Sequence, residues 1–279
     1  MQAASVSLVV VCMKHNEKCA LRVIRESAGT HIDMSCLAPV LRDANPENCS
    51  TVNEKLGNLG MFLKLESAWT INSPEELRYQ FKWLSGMNRL ICFHVPKPFA
   101  MVEINGKMGY LLERVQGMNV DSAATEDPAE VVAHSDNIFK QLKDIAKVMH
   151  ANGFTHNDLS PENIIIAPDD RVWIIDPRER RGSMEERVID DLECIGALRH
   201  NLSERLSAEV AKARDKLLGI DDSISRESLQ KLLRSEIARE MLARALEAGA
   251  GNAPDSAIIH MARLVREEGM DGIYKAGAM

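Results

Sequence analysis

The hydrophobic period of this chain changes near residue 135, and that change constrains the fold more than any other feature. Before it, short apolar runs alternate with polar turns. Leu8–Met13 and Cys19–Arg25 flank the polar stretch 14–18 and read as a hairpin. Residues 43–50 read as a turn-rich loop, and Thr51–Lys55 with Gly60–Glu66 as a second hairpin. Ser73-Pro74-Glu75-Glu76 is a helix start, with Ser as cap, Pro in the first turn and acids at the positive end of the helix dipole. That helix is expected to run to about Ser85. Ile91–Val95, Ala100–Ile104 and Lys107–Glu113 read as strands, the last two joined by the hairpin signal Asn105-Gly106.

Beyond the change, Ile138, Leu142, Ile145 and Met149 recur on one helical face, and Gly153 stands where a helix ends. Ile164–Ala167 and Val172–Asp176 read as short strands across a turn at 168–171. Helices are expected over about 190–217, 225–248 and 254–268, separated by Gly219, Gly249 and Gly251. Strands followed by helices imply an α+β class with two lobes and a crevice between them.

Composition excludes several function classes. The chain has 279 residues, 45% of them hydrophobic and 27% charged, which is enough to bury a core. With 34 basic and 41 acidic residues its net charge is −7, which disfavours a nucleic-acid partner. No apolar run approaches the ~20 residues that span a bilayer, so no membrane span is expected. Six cysteines (12, 19, 36, 49, 92 and 194) lie without a C-x-x-C pair, which argues against a zinc site. The expected location is cytoplasmic, or inside a host cell after delivery.

The chemistry-bearing stretch is His156-Asn157-Asp158-Leu159-Ser160-Pro161-Glu162-Asn163, with Asp176 following 18 residues after Asp158. An H-x-D alone is most often a surface turn. Here an Asn stands five residues after the Asp, and a second Asp ends the next strand. The set resembles the protein-kinase-like family, whose catalytic loop reads H-R-D-L-x-x-x-N and whose metal-binding Asp follows a hairpin later. The resemblance covers about residues 50–196. It implies a bilobal fold, with 1–40 as a strand-rich extension, 41–115 as the N-lobe and 116–279 as the helical C-lobe. It also implies ATP and Mg²⁺ as cofactors.

By this resemblance Asp158 orients the acceptor hydroxyl and takes its proton, while Asn163 and Asp176 offer Mg²⁺ the hard oxygens it prefers. His156 braces the loop. Phe62-Leu63-Lys64-Leu65-Glu66 resembles the V-A-I-K strand and makes Lys64 the phosphate-binding, catalytically required lysine. A lysine on an alternating strand is ordinarily solvent-facing, but this one precedes a helix bearing Glu75 and Glu76. Glu76 is the preferred partner, since Tyr79 and Trp83 follow on its face. Leu111-Leu112-Glu113-Arg114-Val115 resembles the hinge, where backbone groups of Glu113 and Val115 hold the adenine edge. Asp190-Asp191-Leu192-Glu193-Cys194-Ile195-Gly196 resembles the casein-kinase-one and vaccinia-related-kinase branch. There Asp191 accepts backbone N–H groups of the catalytic loop; an acidic helix start explains the same residues equally well.

Three departures qualify the pattern. There is no G-x-G-x-x-G; the phosphate-covering loop falls at Asp43–Ser50, with Ser50 as its hydroxyl. Asp176 is followed by Pro177-Arg178 in place of Phe-Gly. Asp191 lies 15 positions after Asp176, which leaves no room for a long activation loop, and Asn157 replaces the motif's Arg. Such compactness is similar to minimal kinases that bacteria inject into host cells. The implied function is therefore a protein Ser/Thr kinase that works without activation-loop phosphorylation, acting on a protein substrate, a host protein among the candidates. A small-molecule or glycan kinase, a pseudokinase and a nucleotidyl transferase are the alternatives. The helical tail 200–279 either forms an acidic acceptor pocket or completes the C-lobe. Arg178, Arg180, Arg181 and Arg187 read as a solvated loop or as a dock for an acidic substrate.

Overall fold

A computed structural model of the chain describes residues 8–14, 17–26, 34–41, 44, 47–66, 73–249 and 256–275. They form two compact units. The first takes the residues through Gly117, with Asp144–Leu159 and Arg171–Asp191; the second takes Met118–Lys143, Ser160–Asp170 and the residues from Leu192 onward.

In order, the elements are β1 (Leu8–Lys14), β2 (Glu17–Glu26), α1 (Met34–Leu41), α2 (Cys49–Gly57), β3 (Met61–Leu65), α3 (Pro74–Met87), β4 (Pro98–Ile104) and β5 (Lys107–Glu113). After them come β6 (Met118–Asn119), α4 (Val120–Glu126), α5 (Pro128–Ala151), a 3₁₀ turn (Pro161–Asn163), β7 (Ile164–Ile166) and β8 (Val172–Ile174). The chain then turns helical, through α6 (Met184–Leu217), α7 (Arg226–Leu232), α8 (Glu236–Gly249), α9 (Ser256–Glu268) and α10 (Met270–Lys275). The class is α+β, as the change of period implied.

The first unit is built on an antiparallel five-stranded sheet of order β1-β2-β4-β5-β3. β2 pairs with β4 in the register Leu21↔Ile104, so the strands of residues 8–26 belong to the same sheet as the central hairpin. That hairpin turns on Asn105 and Gly106, both at positive φ (51° and 77°), as the Asn-Gly signal requires. β3 lies at the sheet edge against β5, with Lys64 opposite Tyr110. At Gly109 an added Cβ would stand 2.7 Å from the Lys64 carbonyl oxygen, so only glycine lets β5 run this close to the strand that carries Lys64. One face of the sheet buries Leu63, Leu65, Val102, Ile104 and Leu111 against Leu37 and Leu41 of α1 and Val52 and Leu56 of α2.

Two expected strands are not formed. Thr51–Lys55 is helical: Val52 and Leu56 stand one turn apart and are both buried. Asn53, on the same helix, donates from Nδ2 to the Leu63 carbonyl (2.9 Å) and accepts from the Leu63 N–H at Oδ1 (2.6 Å). Five residues containing Thr and Val fit a strand or a helix equally well, and packing decides. Ile91–Val95 is a turn. The His94 N–H donates back to the Ile91 carbonyl, and the Val95 carbonyl accepts from the Asn88 side chain (2.9 Å). It links to a strand at His94, whose carbonyl accepts from Ile174 N–H and whose ring Nδ1 lies 2.7 Å from the Val172 carbonyl. Residues 43, 45 and 46 of the expected loop at 43–50 lie outside the described residues, as do 15 and 16 between the first two strands and Gly251 near the C-terminus.

The second unit is helical. Ala129 and Val132 of α5, Leu206, Val210, Ala213 and Leu217 of α6, and Leu242, Ala243 and Leu246 of α8 form one buried cluster, which Ala262, Val265 and Ile273 complete. β6 pairs with β7 in the register Met118↔Ile166. The helix expected over 225–248 is broken in two, because Ser235 starts a new one. Its Oγ accepts from Ala238 N–H (3.2 Å) and its carbonyl from Arg239 N–H. α6 starts at Met184, ahead of the expected 190. Ser183 Oγ accepts from Glu186 N–H (3.2 Å) while the Glu186 carboxylate accepts from Ser183 N–H (2.8 Å), a reciprocal capping box. Only Pro177–Ser183 therefore separate Asp176 from the helix.

Candidate active site

Lys64, Glu76, Asp158, Asp176 and Asp191 all belong to the first unit. β3 supplies Lys64 at a half-buried position between the buried Leu63 and Leu65. Its Nζ lies 2.7 Å from Asp176 Oδ1. Asp176 sits just past β8 with φ +59°, a left-handed backbone that aspartate tolerates better than most residues. The lysine is well shielded (14% exposed) and the carboxylate more open (41%), so the pair presents its acidic end to solvent.

α3 is placed by its sequence signals. Ser73 Oγ accepts from Glu76 N–H at 3.2 Å, and Pro74 occupies the first turn. Leu77, Phe81, Trp83, Leu84 and Met87 face inward. Trp83 anchors the helix to the stretch that leads to Asp158: its indole N–H donates to the Thr155 carbonyl (2.9 Å), and its ring stands edge-on to His156 and Phe154. Glu76 does not take up the ion pair expected with Lys64. Its Oε1 accepts from Glu179 N–H at 3.2 Å, while Asp176 holds the lysine. Burial pushes the Glu76 carboxyl up, offset in part by the Glu179 N–H and by the nearby Lys64 and Arg178 charges.

The loop after α5 is fixed from beneath by Asp191, which is fully buried. Its Oδ2 accepts from His156 N–H (2.9 Å) and its Oδ1 from Asn157 N–H (2.7 Å), while His150 Nε2 lies 3.0 Å from Oδ2. This is the loop-holding role the resemblance implied. Asn157, at φ +61°, takes the left-handed conformation that Asn accepts readily. His156 is buried, and its Nε2–H donates to the Ile175 carbonyl at 2.8 Å. It braces the loop against the residue before Asp176. Asp158, one fifth exposed, faces Arg178, whose Nε lies 2.9 Å from Oδ2.

Burial holds His156 below the usual histidine range, against the opposing pull of Asp191, the Ile175 carbonyl, Asp158 and Asp176. The unfolded imidazole takes up a proton that the folded one refuses. Stability is therefore present above the ordinary histidine value, about 6.5, and falls as the pH drops below it. The unfolding midpoint of the wild type falls between about pH 7.5 and 5.5, and more shallowly in His156→Gln, which has no ring to titrate. Parallel pH profiles in the two proteins contradict this assignment.

The remaining expected site residues lie elsewhere. Ser50 is exposed in the first turn of α2 and is not part of a loop. Glu113 ends β5. Its N–H donates to the Lys97 carbonyl (2.8 Å) and its Oε2 accepts from Lys97 N–H (3.1 Å), so any contact from its backbone to a base comes through the carbonyl. Val115 follows, half-buried. Asn163 ends the 3₁₀ turn in the second unit, with its N–H on the Ser160 carbonyl (3.0 Å). Sequence reasoning passed over two features. One is the ion pair of Arg178 with Asp158. The other is the capping box, which the pattern Ser183-x-x-Glu186 does display. Of the four arginines read as a basic segment, two are held in ion pairs within the unit, Arg178 with Asp158 and Arg180 with Asp190 at 2.7 Å, and Arg187 donates to the Met184 sulfur.

No family model matches the chain. Among curated proteins it is similar to the serine/threonine-protein kinase PknE of Mycobacterium bovis, 24% identical over 164 residues, covering 59% of this chain and 28% of that one. It is also similar to PknH of Mycobacterium bovis (25% over 105 residues; 38% of this chain, 18% of that one). PknD of Mycobacterium tuberculosis is similar to it at 23% over 107 residues, covering 38% and 16% of the two chains. The chain thus spans less than a third of the length of the curated relatives it matches. Among solved structures, the Mycobacterium tuberculosis PknI kinase domain overlaps 51% of this chain and 62% of its own, at 18% identity and a TM-score of 0.39. The chain is thus similar, over part of its length and at low identity, to serine/threonine-protein kinases, and it gathers Lys64, Asp158 and Asp176 of the motif in one unit.

Proposed function

We propose that the protein is an ATP- and Mg²⁺-dependent phosphotransferase that phosphorylates serine or threonine hydroxyls of a protein. The observation that carries this reading is the contact of Lys64 with Asp176 at 2.7 Å, in the same unit as Asp158 on its Asp191-braced loop.

Lys64 binds the nucleotide's phosphates and, through Asp176, is held where a cation neutralises charge on them. Asp158 orients the acceptor hydroxyl and accepts its proton as the phosphoryl group moves. Asp176 is an oxygen donor of the kind Mg²⁺ takes, and its half-open carboxylate suits that ligand; Asn163, in the second unit, carries an oxygen of the same kind. Among the described residues no group of three or more His, Cys, Asp or Glu is arranged to hold an ion. When bound, Mg²⁺ supplies charge neutralisation on the phosphates. No helix of the described residues is long and apolar enough to cross a membrane.

Pro177–Ser183 are too few residues for a phosphorylation-switched loop. Activity is accordingly independent of an upstream kinase. The test is transfer from γ-labelled and α-labelled ATP, with Mg²⁺ and a cell lysate, using protein first treated with phosphatase. The expected result is γ-label on lysate proteins or on the enzyme itself. Transfer of α-label instead establishes nucleotidyl transfer. Label in metabolites but not in proteins establishes a small-molecule acceptor. Activity that appears only after treatment by another kinase overturns the account of the short segment.

A further inference from the structure

The tetrapeptide Asp176-Pro177-Arg178-Glu179 touches Lys64 on β3, the loop that carries Asp158, and Glu76 on α3. Asp176 holds Lys64. The Arg178 backbone is fastened to the catalytic loop at both ends: its N–H donates to the His156 carbonyl (2.9 Å), and its carbonyl accepts from Asn157 Nδ2 (2.7 Å). Its side chain returns to the loop as well, with Nε 2.9 Å from Asp158 Oδ2. Glu179 N–H then donates to Glu76 on α3.

We propose that Arg178 is a positioning residue for Asp158. It fixes the rotamer of the proton-accepting carboxylate from the strap that follows Asp176. The proposal rests on the phosphotransfer reading and deepens it. A guanidinium suits the task because it is planar, always charged, and donates in fixed directions. The two backbone bonds fix the point from which the side chain reaches Asp158. With Arg178 on Oδ2, the plane of the carboxylate is set, and with it the direction from which an acceptor hydroxyl is received. A small misplacement of such a group costs up to about 10²-fold in rate. Arg178 is half exposed and Asp158 one fifth exposed, so the pair lies where an acceptor can reach it. This role withdraws Arg178 from the set of arginines available to dock an acidic substrate.

The test compares Arg178→Gln and Arg178→Lys, each alone and combined with Asp158→Asn, beside the wild type. Readouts are kcat, KM for ATP, and the unfolding midpoint. Arg178→Gln is expected to lower kcat about 10- to 100-fold, with KM for ATP within about twofold of wild type. Arg178→Lys, which keeps the charge, recovers part of that loss. In the Asp158→Asn background, Arg178→Gln has little further effect, because the group it serves is already disabled.

Full kcat in Arg178→Gln overturns the proposal while leaving the kinase reading intact. So does an equal loss in the Asp158→Asn background, which means Arg178 acts elsewhere. A lowered unfolding midpoint in Arg178→Gln and Arg178→Lys alike, tracking the activity loss, assigns Arg178 to stability and also overturns the proposal. A wild type that transfers no phosphate overturns the reading, and the proposal with it.

Discussion

Asp158→Asn is expected to lower phosphoryl transfer about 10³-fold while leaving the unfolding midpoint unchanged. The carboxamide has nearly the shape of the carboxylate and keeps an oxygen for the Arg178 Nε, which lies 2.9 Å from Oδ2 in the wild type. What it loses is basicity, since an amide does not take up the acceptor's proton. Asp158 is one fifth exposed, and the near-isosteric amide preserves its packing, so the change has little to destabilise. Time courses at saturating ATP check the first part, and urea unfolding checks the second. Normal turnover in Asp158→Asn removes the residue from the chemistry.

Asp191→Ala acts in the opposite way, on the fold first. Asp191 is fully buried and receives three donors: the backbone N–H groups of His156 and Asn157 and the ring of His150. Alanine leaves them without an acceptor in a place water does not enter. The expected cost is on the order of 3 kcal/mol, with loss of activity as the loop carrying Asp158 is released. Asp191→Asn keeps one oxygen and is expected to be milder. Urea unfolding of both variants measures this. An unchanged midpoint in Asp191→Ala means that the loop is held by other contacts.

The elements with their own local chemistry were legible in the sequence. The Asn105-Gly106 hairpin and the helix started by Ser73-Pro74 formed where their residues placed them. Their signals are short-range and do not depend on what packs against them. Thr51–Lys55 was not legible as a helix, because burial of Val52 and Leu56 and the two Asn53 bonds to Leu63 are tertiary facts. The same holds at the site. The spacing of Asp158, Asn163 and Asp176 named the candidates, and D-D-L-E named Asp191 as the support of the loop. The partner of Lys64 was misplaced, since both Glu76 and Asp176 offer it a carboxylate and only distance separates them. Local sequence leaves Arg178 open between a solvated loop and a dock for an acidic substrate, because its ion pair spans 20 residues of sequence.

The central claim is that Lys64 and Asp176 form a site for a nucleotide bound with Mg²⁺. Titration calorimetry of ATP into the wild type and into Asp176→Asn, with and without Mg²⁺, tests it most directly. The account predicts that Mg²⁺ strengthens ATP binding to the wild type and gives no such gain in Asp176→Asn. Equal strengthening by Mg²⁺ in both proteins contradicts it.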